Sequence, residues 1–191
     1  KVNTLEPASE RKVILILTVN DEEHKAFLDE LGRQNILCSP ISCRNNVYFQ
    51  ANYKNCSLMI LKCMPGSGGP AGSTLAVQEA IADFHPVAII ACGVAFGCKP
   101  EKEKMGDIMV SRQVWQYDPR KETEESIIRR GDKATASETL LYRFSSAIAS
   151  WELENPDIPV HMGLIASGEV LVNSGNFLDK LKQSEPDIIG G

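Results

Sequence analysis

Long apolar runs, a basic excess and paired metal-ligand motifs are all missing from this sequence, and each absence removes a class of function. The longest nearly uncharged apolar stretch, Pro86 to Cys98, is too short and too interrupted by glycine to span a bilayer, so no membrane partner is expected. Lysine and arginine number 20 against 25 aspartates and glutamates, for a net charge of −5. A nucleic-acid surface needs clustered cations, so no nucleic-acid partner is expected either. The six cysteines form no Cys-x-x-Cys pair and have no histidine nearby at zinc spacing, so no metal site is expected. Cys56, Cys63 and Cys92 lie in apolar runs, where a free thiol behaves as a small hydrophobe. A reducing, cytoplasmic setting is the expectation, with the even count leaving disulfides open. The glycine-rich stretches match neither a Walker A loop nor Gly-x-Gly-x-x-Gly between strand and helix. This argues against P-loop ATP hydrolysis and NAD binding, and no cofactor is expected. No secretory signal heads the chain; residues 1–12 read as a linker or boundary segment.

What is present is an ordinary globular composition: 191 residues, 43% hydrophobic and 24% charged, enough for one domain with a real core. Val13 to Val19 is a continuous β-branched run, the pattern of a strand buried on both faces. Asn20 then predicts a helix N-cap, with Phe27, Leu28 and Leu31 as the inner stripe. Leu58–Lys62 and Val87–Cys92 read as further buried strands, separated by a glycine-rich stretch and a helix over Leu75–Phe84. Asp107–Ser111 and Val114–Tyr117 predict strands with a kink or bulge between them; alternation of Trp115 and Tyr117 turns one face inward. Pro119 to Lys133 is charged and patternless, which predicts a solvated loop. Thr135-x-x-Glu138 has capping-box spacing ahead of a helical stripe of Leu140, Leu141, Phe144, Ile148 and Trp151. A strand over Pro159–Ser167, a short helix over Asn176–Lys182 and a strand from Asp187 complete the pattern. Strands alternating with helices predict an α/β fold: three α/β/α layers around a mostly parallel, mixed, twisted sheet.

In such a sheet ligands bind beyond the carboxyl ends of the strands. The segments arriving there are Thr18–Glu23, Cys63–Gly72, Gly93–Gly97 and Ser167–Asn173. Gly93-Val94-Ala95-Phe96-Gly97, followed by Lys104-Met105-Gly106-Asp107, resembles the hallmark of the nucleoside phosphorylase/nucleosidase superfamily. In that family a Gly-Ser-Ala-Gly-Gly-like turn precedes a Lys-x-Gly-Asp strand. The Val13 strand with its acidic helix start, Leu61-Lys62-Cys63 with its glycines, and Gly163 to Glu169 agree in order and spacing. The resemblance spans residues 13–191, with 5′-methylthioadenosine/S-adenosylhomocysteine nucleosidases as the nearest branch.

The resemblance implies a pocket for a purine nucleoside and cleavage of its N-glycosidic bond, with Glu23 as the catalytic carboxylate that activates water. Asn20-x-x-Glu23 also has capping-box spacing, so a purely structural Glu23 stays open. Val19, Pro65, Gly66, Gly93, Val94, Ala95 and Phe96 are the implied substrate-binding positions, with Leu171 and Val172 as a wall for the base. Core packing remains the alternative for Phe96, Leu171 and Val172. Phosphorylases anchor phosphate with fixed donors. The corresponding positions here, Ala91 and Val94, carry none in their side chains, which favours hydrolysis over phosphorolysis. A non-catalytic binding module of the same fold is the other alternative. The family's ribose-gripping segment and its acid would follow Gly191, so this chain by itself is expected to be inactive or poor. The resemblance also implies a homodimer, and the linker-like start with the early end of the sequence predicts fusion to other domains.

Overall fold

The computed structural model describes residues 11–66, 68, 72–118, 120–122, 127–129, 131–168 and 175–191. Its contacts fall into two compact units, Lys1–Val94 and Ala95–Gly191. Both combine mixed parallel and antiparallel strands with helices, the α/β class expected from the alternation of patterns.

The first unit contains β1 (Lys12–Thr18), α1 (Asp21–Arg33), β2 (Cys38–Cys43), β3 (Asn46–Tyr53), β4 (Cys56–Lys62), α2 (Ser73–Phe84) and β5 (Ala88–Ala91). Its sheet runs β2-β3-β4-β1-β5, with β1 parallel to both β4 and β5. The unbroken apolar runs of β1 and β4 serve two cores at once, because successive side chains leave opposite faces of a strand. Leu15, Met59 and Leu61 pack with Ala76 and Ala80 of α2. Ile16, Leu58 and Ile60 pack on the other face with Leu31 of α1, with Phe27 beside them. One helix per face makes this unit three-layered. Each fully buried Leu or Ile contributes on the order of 1.5–3 kcal/mol, so the strands at the centre dominate its stability.

The strands β2 and β3 have no counterpart in the sequence reading. They form hairpins with β4 through turns at Arg44 and Lys54, which take positive φ of 50° and 51°. Neither turn carries the Asn-Gly or Asp-Gly pair that announces a hairpin.

The second unit contains β6 (Ile108–Gln116), β7 (Arg120–Glu122), β8 (Ile127–Arg129), β9 (Lys133–Thr135), α3 (Glu138–Glu154), β10 (Val160–Ser167), α4 (Gly175–Ser184) and β11 (Ile188–Gly190). Its main sheet runs β11-β10-β6-β9, with β10 parallel to β6 and β11. The kink or bulge expected between two strands is a bulge, and it lies inside one continuous strand: Gly163 pairs with Ser111 but Leu164 with Gln113, leaving Arg112 extra. Trp115 and Tyr117 are buried as expected and share a core with Leu164, Ala166, Leu181 and Ile188.

Two expectations are corrected here. The segment over Pro119–Lys133 is not one loop, for β7 and β8 pair antiparallel and β9 pairs with β6. Three-residue strands are too short to show a periodicity, and only pairing reveals them. Thr135 caps nothing: it ends β9, and the N-cap of α3 is Ser137, which makes no side-chain capping bond. Behind it Leu140, Leu141, Phe144 and Ile148 are half-buried as a stripe, while Trp151 is exposed and donates its indole N–H to the Ile158 carbonyl at 3.1 Å.

Candidate active site

Parallel pairing in register brings three chain segments to one edge of the first unit. Thr18 pairs with Lys62 and Leu17 with Ala91. The N–H of Cys63 then donates to the Thr18 carbonyl and that of Cys92 to the Leu17 carbonyl, each at 2.8 Å. Val19, Met64 and Gly93 therefore emerge side by side where the strands end.

Glu23 stands at this edge on the first turn of α1. Asn20, in extended conformation, accepts the Glu23 N–H on Oδ1 at 2.7 Å, and the Glu23 carboxylate returns to the Asn20 N–H, a complete capping box. The carboxylate does more than cap. Its Oε2 accepts from the N–H groups of Val19 at 3.1 Å and Asn20 at 3.3 Å, while Oε1 accepts from the N–H of Val94 at 2.9 Å, 71 residues away. The capping box and the reach to the Val94 N–H are compatible in geometry, so the cap leaves one carboxylate oxygen directed at the turn after β5. Gly93 makes the approach feasible: a Cβ there would stand 2.8 Å from Oε1.

Partial burial pulls the Glu23 pKa upward, but the N–H groups of Val94, Val19 and Asn20, aided by the Asn20 side chain, outweigh it and hold the group below the usual carboxylate range. Glu23 is thus an anion at neutral pH and able to accept a proton. The Cys92 thiol at the end of β5 is pushed up, by desolvation first and by the Glu23 carboxylate second. On the other side of the helix start, Lys62 pairs with Asp21, and Thr18 Oγ1 lies 2.9 Å from His24 Nδ1. Sequence spacing left His24 without a role; its ring edges against Phe49.

The other expected positions are distributed as follows. Val19 and Val94 reach Glu23 through their backbone, and the Val94 side chain is exposed. Pro65 and Gly66 leave the end of β4 exposed; Gly66, at φ 93°, accepts the Ser73 N–H at the head of α2. Ala95 and Phe96 belong to the second unit. Phe96 packs against the core of that unit and exchanges backbone hydrogen bonds with Gly191 at 2.8 and 3.1 Å. Core packing, held open as the alternative for this aromatic, is what its ring does. Leu171 and Val172 lie outside the described residues.

The Lys104-Met105-Gly106-Asp107 motif builds a turn at the amino end of β6. Gly106 takes φ 100°, and Asp107 accepts from the Lys104 N–H and sits 2.8 Å from His161 Nε2, both at 2.8 Å. Among the described residues no group of three or more His, Cys, Asp or Glu is arranged to hold a metal ion. All six cysteines are free, and no described helix is long and apolar enough to cross a membrane.

The chain is 26% identical over 203 residues to a death domain-containing ATP nucleosidase of Amphimedon queenslandica, covering 93% of this chain and 38% of that protein. It thus spans well under half the length of that relative. Among solved structures, futalosine hydrolase of Helicobacter pylori superposes with a TM-score of 0.72 at 23% identity, over 95% of this chain and 75% of that one. A mutant 5′-methylthioadenosine/S-adenosylhomocysteine nucleosidase of the same organism, with 5′-methylthioadenosine in its active site, gives 0.70 at 23% identity, over 94% and 74%. At these identities the two structures establish the fold. The family model of the phosphorylase superfamily matches residues 13–187, and the chain belongs to that superfamily.

Proposed function

We propose that this chain is the nucleosidase-type domain of its protein, with residues 13–191 contributing to a site that hydrolyses the N-glycosidic bond of a purine nucleoside. The observation that supports this most is the Glu23 carboxylate, held by three backbone N–H groups where β1 and β5 end. An ionised carboxylate at that edge takes a proton from water. The water oxygen bonds to the anomeric carbon as the C–N bond breaks, its electron pair leaves with the base, and the base takes up a proton. The same negative charge stabilises the oxocarbenium-like sugar. Water, unlike phosphate, needs no cationic cradle, which accords with Ala91 at the end of β5 and Val94 in the turn after it. Val19, Pro65, Gly66, Gly93 and Val94, all of the first unit, are proposed to face the substrate.

The likeness to an ATP nucleosidase supports including nucleosides with a 5′-phosphate chain among the proposed substrates. A cytoplasmic setting, fitting six free thiols, homodimerisation and fusion to further domains belong to the same proposal. The test is adenine release from adenosine, 5′-methylthioadenosine and ATP by the full-length protein, without inorganic phosphate. Glu23→Ala is expected to lower kcat by at least about a hundredfold. Unchanged turnover in that variant would remove Glu23 from the chemistry.

A further inference from the structure

We infer that Asn20 is a positioning residue for Glu23, locking the carboxylate so that Oε2 is the anchored oxygen and Oε1 the one that takes the proton. The inference rests on the reading of Glu23 as the base. An ordinary capping box turns its carboxylate back on the helix and leaves it otherwise to solvent. Here the box is closed by Asn20, and the same carboxylate also crosses to the turn after β5. The two oxygens are unequal. Oε2 carries two N–H donors, from Val19 and Asn20, and so uses both of its lone pairs. Oε1 carries one donor, Val94, and keeps a lone pair for a water proton.

Asn20 creates this inequality through its bond to the Glu23 N–H at 2.7 Å, which fixes the first turn and so the direction in which the side chain leaves the helix. Losing Oδ1 frees that turn to fray, and both oxygens then share solvent. Cys92, on the β5 side, is the titratable neighbour that senses Glu23. Asp21 and Lys62 are paired with each other on the far side of the turn, and His24 faces Thr18 and Phe49.

The experiment uses Asn20→Ala and Asn20→Ser in the full-length protein. Kinetics of adenine release against pH are read beside carbon-13 NMR titration of the Glu23 carboxyl in the absence of substrate. Alanine is expected to lower kcat about tenfold or more while KM changes less than about twofold, since misplacement of a reacting group acts on the chemical step. The Glu23 titration and the acidic limb of kcat/KM should both move to higher pH, because the folded carboxylate loses support. Serine, which retains an N-cap acceptor, should restore both. Wild-type kcat together with an unmoved Glu23 titration in Asn20→Ala would overturn the inference. So would failure of serine to restore them in a variant that unfolds at the wild-type temperature. If wild-type protein releases no base at any pH, the nucleosidase reading fails by itself, and the carboxyl titration still decides whether Asn20 governs Glu23.

Discussion

Gly93→Ala is the smallest perturbation that tests the geometry at Glu23. The added Cβ would stand 2.8 Å from Oε1, 3.0 Å from Cδ and 3.1 Å from Oε2. Gly93 does not have a positive φ, so alanine meets no left-handed-backbone penalty and the effect on the carboxylate comes from this contact. The carboxylate must retreat by roughly half an ångström to reach ordinary van der Waals separation from carbon. Three N–H groups hold it, and the bond from Val94, on the same turn as the new methyl, is the one that lengthens.

A weakened charge-assisted hydrogen bond in a half-exposed position costs about 1 kcal/mol, an apparent loss of roughly 2–4 °C in Tm for a chain of this size. Activity should suffer more than stability, because displacements of this order cost up to about a hundredfold in rate. We expect kcat for adenine release to fall about ten- to a hundredfold in a protein whose Tm drops by only those roughly 2–4 °C. The assay is base release beside differential scanning calorimetry on the same preparation. Wild-type turnover in Gly93→Ala, alongside inactivity of Glu23→Ala, would refute the claim that this turn positions the carboxylate.

Gly190→Ala should destabilise the second unit, since its Cβ would lie 2.5 Å from both the Phe96 carbonyl oxygen and Met109 Sδ. A backbone atom cannot swing aside as a side-chain end can; the expected loss is about 2–3 kcal/mol, read by chemical denaturation. Asp107 is held below the usual carboxylate range, by the Lys104 N–H first and by His161 second. Its folded pKa is therefore below its unfolded one, so its contribution to stability is present above the unfolded value and disappears as pH falls toward the folded one. The stability difference between wild type and Asp107→Asn should accordingly be largest near neutrality and shrink below about pH 4. A difference that stays constant on acidification would show that the Asp107 charge contributes nothing.

Local chemistry made much of this chain readable from its sequence. The unbroken runs Val13–Leu17 of β1 and Leu58–Leu61 of β4 declare strands covered on both faces, because neither run contains a polar side chain. Asn20 with Glu23 announces the start of α1, since capping depends on residues three apart. Trp115 and Tyr117 declare an inward face by alternation alone. The motif resemblance likewise lives in short segments, and it carried the superfamily.

Pairing across long stretches of chain was decided only by tertiary structure. The strands β2, β3, β7, β8 and β9 exist because a neighbour satisfies their backbone, and Thr135 became a strand end when β6 took its segment. Glu23 is the clearest case. Its spacing from Asn20 fixes one oxygen locally, whereas the other depends on β1 and β5 lying parallel and in register, so that the Val94 N–H arrives 2.9 Å away. No pattern within a window of sequence contains that distance, because it is set by how two strands pack.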